Sequence, residues 1–173
     1  MFGSSWTSTS FRHNVWMALA VGTKAPLFTL RRKTTDGMID VSLADHLEKD
    51  IVVLMFVPGA FTGVCTDQLC RLSNGVEEIP GAIVYGITVD SAYCQAAWAN
   101  QENILLPLIS DFTHSVTKAY DVVLESLSGM GPASKRAVFV INRSGVITYT
   151  QVTPSSGDMI DFEPVKAAVR AAL

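Results

Sequence analysis

The sequence predicts an α/β protein with a central mixed β-sheet, helices on its faces and a β-hairpin at the N-terminal side. Three observations predict it. Residues Ile51 to Val57 are an unbroken apolar run, rich in β-branched side chains and without a polar helical face, as expected of a strand covered on both sides. Downstream of that run, strand-like apolar stretches alternate with stretches of helical spacing. A second hairpin and a terminal helix then close the chain.

Taken in order, the chain alternates from Ala25, with Leu27, Thr29 and Arg31 opposing Phe28 and Leu30. It turns at Asp36-Gly37 and resumes over Met38 to Val41, which gives the N-terminal hairpin. Ser42 is placed to cap a short helix through Lys49 that delivers the chain into the buried strand. Pro58 ends that strand and Gly59, Thr62 and Gly63 form a tight connector. A helix then starts between Thr62 and Cys65 and runs to the stop signal Asn74-Gly75. Pro80-Gly81 turns the chain into a second apolar strand, Ala82 to Val89, and Ser91 caps a helix carrying Tyr93, Cys94, Ala97 and Trp98. Leu105 to Ile109 reads as a third strand and Thr113 to Tyr120 as a helix. Residues Ala137 to Asn142 pair with Val146 to Val152 across Arg143-Ser144-Gly145, and Phe162 to Leu173 has apolar residues at helical spacing.

Composition sets the outer bounds. At 173 residues, 49% hydrophobic and 17% charged, the chain suits one compact domain with a sizeable core. Residues 1–16 are rich in Ser and Thr, lack acidic residues and read as an N-terminal extension or leader, with residues 17–173 as the domain. The net charge of −3 and the absence of a long basic run argue against nucleic acid or anionic membrane as partners. No stretch approaches the length of a membrane span. The three cysteines, Cys65, Cys70 and Cys94, are an odd number in a chain too long to need a disulfide scaffold. They fit reactive thiols in a reducing compartment, read as the cytoplasm.

The chemistry concentrates where the buried strand hands over to its helix. Cys65 sits there, facing the unpaired N–H groups and the positive end of the helix dipole, an environment that favours the nucleophilic thiolate. The plainer reading of any single cysteine is a small buried hydrophobe. Here Pro58, Thr62 and Cys65 stand together in P-G-A-F-T-G-V-C. This resembles the P-x-x-x-T-x-x-C signature of the peroxiredoxins, thiol-dependent peroxidases on a thioredoxin-like fold. The similarity covers about residues 19 to 173, with V-G-T-K-A-P-L-F-T-L (Val21 to Leu30) and K-R-A-V-F-V-I-N-R-S-G-V-I (Lys135 to Ile147) as further motifs in the right order.

The resemblance implies roles for named residues. Cys65 would attack a peroxide oxygen, Thr62 would exchange hydrogen bonds with the sulfur or the peroxide, and Pro58 would shape the loop and shield the thiolate. Arg136 would supply the fixed cation, a task suited to a side chain that stays charged and presents several donors in one plane. Thr62 as a helix N-cap and Arg136 as a solvated surface residue are the competing readings. One departure is visible: many family members carry glutamate three residues after the nucleophile, and this chain has Gln68.

Recycling is left open at this stage. Cys70 gives the C-x4-C spacing of the bacterioferritin-comigratory-protein branch, whose second cysteine resolves the sulfenic acid. The stretch A-F-T-G-V-C resembles instead the one-cysteine alkyl hydroperoxide reductase E type, and Cys94 is a third candidate. On an intact helix Cys65 and Cys70 are about 7.5 Å apart in rise and about 140° apart in rotation, so a disulfide between them requires local unwinding.

No cofactor is expected. G-x-G-x-x-G is absent, so electrons should come from a protein or small thiol, for which the resemblance implies thioredoxin, glutaredoxin or a low-molecular-weight thiol. A zinc site built from Cys65, Cys70, Cys94, His46 and His114 is a weaker rival, because C-x4-C lies at the edge of usual ligand spacings. The family further implies a homodimer, with Phe61 as a candidate contact. A non-enzymatic redox sensor or holdase using the same thiol is the alternative to a peroxidase.

Overall fold

The computed structural model describes residues 18–75 and 77–173, so the readings of residues 1–16 and of the domain start at residue 17 lie outside it. The chain runs through β1 (Thr29–Thr34), β2 (Gly37–Ser42), a 3-10 turn (Leu43–His46), β3 (Ile51–Phe56), α1 (Gly63–Ser73), β4 (Ala82–Thr88) and α2 (Ala92–Glu102). It continues through β5 (Leu108–Ser110), α3 (Ser115–Ala119), β6 (Val123–Leu124), β7 (Ala133–Ser134), β8 (Ala137–Ile141), β9 (Ile147–Val152) and α4 (Phe162–Ala172). One seven-stranded sheet has the order β2-β1-β5-β4-β3-β8-β9, and β6 pairs with β7 apart from it. Strands β3, β4 and β5 are parallel, joined by α1 and α2 as crossovers, whereas β8 runs antiparallel to β3.

The central strand is covered on both sides, as its unbroken apolar run requires. Its side chains divide by parity: Ile51, Val53 and Met55 enter one core with Leu69, Trp98, Val165 and Val169 from α1, α2 and α4. Val52, Leu54 and Phe56 enter the other with Val116 and Tyr120 beside α3. Gly86 on β4 belongs to the close packing between strands, because a Cβ there would lie 2.5 Å from Leu108 Cδ2. Both parallel crossovers begin at the C-terminal ends of β3 and β4, and that end of the sheet carries Pro58, Thr62 and Cys65.

The structure departs from the sequence reading in four places, each with a local cause. The helix expected from Ser42 through Lys49 is a single 3-10 turn, and Ser42 Oγ donates to the Phe28 carbonyl (3.3 Å) instead of capping it. The third strand begins at Leu108 rather than Leu105. Pro107 has no N–H to give a ladder, and the amides of Leu105 and Leu106 are taken by Ser73 Oγ at 2.9 and 3.1 Å. The helix expected over Thr113 to Tyr120 is trimmed to Ser115–Ala119, where the buried Asp111 carboxylate accepts from the Val116 and Thr117 amides and from Ser115 Oγ. The β6–β7 pair was not anticipated, since strands of two residues are too short to show an alternation.

Candidate active site

Sheet register brings the cation to the thiol. Phe56 pairs with Ala137 across β3 and β8, so Arg136, the residue immediately before β8, lies at the end of β3 where Pro58 and Cys65 follow. Side chains alternate between faces along a strand. Arg136 therefore shares the parity of Val138 and Val140, which face the core beneath α1. The usual fate of an arginine is solvent, but this one is 1% exposed.

Arg136 Nη2 donates to Cys65 Sγ at 3.3 Å and to the Ser156 carbonyl at 2.8 Å, and Nη1 donates to Gln68 Oε1 at 3.2 Å. Its Nε is buried without a partner among the described residues. Cys65 is buried and is the third residue of α1, inside the first helical turn. It thus receives a fixed guanidinium from one side and a helix N-terminus from the other, and both favour an anion on sulfur.

Thr62 is the N-cap residue of α1, yet its hydroxyl does not cap the helix. Oγ1 donates to the Gly59 carbonyl at 2.9 Å, leaving its lone pairs free to accept. Pro58 is buried behind it. Phe61 adopts φ 59°, a left-handed conformation that costs a bulky residue about 1–2 kcal/mol. Its ring is 49% exposed and lies 6.2 Å from that of Trp98. Trp98 in turn donates from Nε1 to Thr66 Oγ1 at 3.1 Å, tying α2 to the first turn of α1. The connector is also held by the Ala60 amide, which donates to Asp90 Oδ2 at 2.8 Å.

The other two thiols have different surroundings. Cys70 lies on the same continuous α1 and its Sγ donates to the Glu102 carbonyl at 3.4 Å, whereas Cys65 Sγ meets Arg136. Burial pushes the Cys70 thiol above its ordinary value, and the Glu102 and Asp67 carboxylates push it further. Burial, then Asp90, does the same to Cys94. All three cysteines are free, and among the described residues no group of three or more His, Cys, Asp or Glu is placed to hold a metal ion. His46 is engaged by Asp50 and Tyr85, at 2.8 and 2.9 Å.

Sequence reasoning missed the carbonyl of Ser156 and the amide of Ile160, which donates to Gln68 Oε1 at 3.4 Å. Both come from the loop after β9, and no residue pattern marks a backbone group as part of a site. Gln68 itself was legible, being one helical turn beyond Cys65 on the same face.

The chain as a whole is similar to known proteins in sequence and fold. Residues 21–150 match the model of the AhpC/TSA family. The thiol peroxidase of Listeria monocytogenes is 31% identical over 172 residues, covering 96% of this chain and 98% of that protein. The chloroplastic 2-Cys peroxiredoxin of Spinacia oleracea is 31% identical over 163 residues, covering 86% of this chain and 60% of the relative. For the Hordeum vulgare chloroplastic protein the match covers 65% of the relative, so the chain spans under two thirds of these plant proteins. Among solved structures, reduced 2-Cys peroxiredoxin of Plasmodium vivax superposes with a TM-score of 0.77 at 26% identity, over 87% of this chain and 80% of that one. Reduced Prx3 of Vibrio vulnificus in complex with hydrogen peroxide gives 0.73 at 27% identity, over 87% and 99%.

Proposed function

The chain belongs to the AhpC/TSA family, and we propose on that premise that it is a thiol-dependent peroxidase whose nucleophile is Cys65. The observation that carries the reading is the 3.3 Å contact between the buried Arg136 guanidinium and Cys65 Sγ in the first turn of α1. A thiolate attacks the terminal oxygen of a hydroperoxide in line with the O–O bond. The S–O bond forms as the O–O bond breaks, the attacked oxygen keeps its hydrogen to give sulfenic acid, and the leaving alkoxide or hydroxide takes a proton from water. Charge moves from sulfur to the departing oxygen. A guanidinium already fixed beside the sulfur stabilises that shift without reorganising. Thr62 contributes after its hydroxyl turns from the Gly59 carbonyl towards the peroxide, or accepts from it where it stands.

Hydrogen peroxide, peroxynitrite and organic hydroperoxides are the substrates of this reading. Recycling is assigned to Cys70, whose sulfur attacks the sulfenic acid and releases water as the disulfide forms. The first turn of α1 must unwind to allow it. Gly63 at its start, an N-cap side chain that makes no capping bond and the absence of an acidic residue in the first turn all lower the cost. Thioredoxin, glutaredoxin or a small thiol then reduces the disulfide, in a reducing compartment such as the cytoplasm. The half-exposed Phe61 ring supports a homodimer through the connector.

Turnover tests the reading against a sensor or holdase that reacts once. Supplied with excess hydrogen peroxide or cumene hydroperoxide and either dithiothreitol or thioredoxin with its reductase, the protein should consume many equivalents of peroxide per chain. Consumption that stops at one equivalent with every reductant would contradict it.

A further inference from the structure

Arg136 is buried, and among the described residues no carboxylate lies within ion-pair distance of it. Its partners are the Gln68 amide oxygen, the Ser156 carbonyl and the Cys65 sulfur, and of these only the sulfur can become an anion. A buried cation without a counter-ion is costly, so the protein favours whatever anion can form against it. We propose that Gln68 is a positioning residue that holds the Arg136 guanidinium through a neutral hydrogen bond and so leaves its charge undivided for the Cys65 thiolate.

The surroundings of Gln68, itself fully buried, demand an amide. Its oxygen faces two donors, Arg136 Nη1 and the Ile160 N–H, while its nitrogen donates to Met55 Sδ at 2.9 Å. A methionine sulfur has no proton to give, so the atom facing it has to be a donor. An ionised carboxylate at this position would set an oxygen against that sulfur and take a share of the guanidinium charge. The other charged groups on the elements around the site are engaged elsewhere or turned away. Asp90 accepts from the Ala60 amide, Asp158 from Ser155 and Asp161 from Glu163. Asp67 on α1 and Glu125 after β6 are exposed, and Lys135, the residue before Arg136, lies in the link between β7 and β8.

The test uses the full chain with Cys70→Ser and Cys94→Ser, so that Cys65 is the sole thiol. Two quantities are followed: the pH profile of its alkylation by iodoacetamide, and its single-turnover rate with hydrogen peroxide. Only the second rests on the peroxidase reading. Gln68→Glu should move the alkylation midpoint up by about one pH unit and slow the peroxide step at neutral pH about tenfold. Gln68→Met keeps the site free of added charge but cannot accept from Arg136. It should move the midpoint less than Gln68→Glu does and still slow the peroxide step about tenfold, because the guanidinium keeps its undivided charge but is held less firmly. A Gln68→Glu profile superposable on the parent would overturn the proposal. If that variant does not fold, Gln68→Met decides alone, and a parental peroxide rate in it overturns the proposal. A parent that consumes no peroxide, with the Gln68→Glu shift still present, removes the peroxidase reading and leaves the role of Gln68 standing.

Discussion

Cys65 and Cys94 occupy equivalent places in the fold and have opposite electrostatic surroundings. Each is the third residue of a helix that follows a central parallel strand, α1 after β3 and α2 after β4. At Cys94 the N-cap works in the ordinary way, with Ser91 Oγ accepting from the Cys94 amide at 3.2 Å. Asp90 stands one residue before that cap, and burial together with this carboxylate holds the thiol protonated to higher pH. At Cys65 the N-cap hydroxyl is turned to the Gly59 carbonyl and caps none of the first-turn amides, and Arg136 Nη2 lies 3.3 Å from the sulfur. A helix N-terminus therefore does not by itself make a reactive cysteine. What decides is whether a cap consumes the free amides and which sign of charge the neighbouring strand delivers.

The comparison predicts its own breaking points. The largest effect is expected from Cys65→Ser, which should lower peroxide turnover by more than about 10³-fold. Cys94→Ser should stay within about twofold of the parent in the same assay, since its side chain touches no reacting group. Next comes Arg136→Met. Loss of the preorganised cation should slow the single-turnover peroxide step by about 10²–10³-fold, as for removal of one oxyanion donor, and make Cys65 alkylate no faster than an ordinary thiol.

A smaller effect sharpens the other half of the contrast. A thiol whose pKa is raised holds a smaller thiolate fraction at any given pH below it, so Cys94 should label slowly near neutral pH and faster as pH rises past the ordinary thiol range. Asp90→Asn keeps an acceptor for the Ala60 amide but removes the charge. Burial, the larger cause, persists, so Cys94 labelling at neutral pH should increase only about two- to threefold, read by mass spectrometry of the alkylated peptide.

Much of this contrast was legible in the residues. The unbroken apolar run of β3 announced a strand buried on both faces, and the Pro58, Thr62 and Cys65 spacing marked the handover to α1. The Ser91 cap was read correctly from its place before an apolar helical pattern. The Gly59 carbonyl as partner of the Thr62 hydroxyl was not legible, because the choice between a helix amide and that carbonyl is made by connector geometry, including the left-handed Phe61. Arg136 could be named only through family resemblance, as its burial follows from the β3–β8 register, which pairs residues 80 or so positions apart. The amide of Gln68 was visible, whereas its hold on Met55, Ile160 and Arg136 joins three elements distant in sequence. The late start of β5 shows the same limit, because the amides of Leu105 and Leu106 are diverted by Ser73 on another helix.

The most direct measurement locates the first oxidised sulfur. Fully reduced protein is mixed with one equivalent of hydrogen peroxide, trapped within milliseconds by a sulfenic-acid reagent such as dimedone and mapped by peptide mass spectrometry. The trapped adduct should lie on Cys65, with Cys94 recovered as an unmodified thiol and any disulfide joining Cys65 to Cys70. Oxidation first appearing on Cys94, or on Cys70 while Cys65 remains a thiol, would contradict the account.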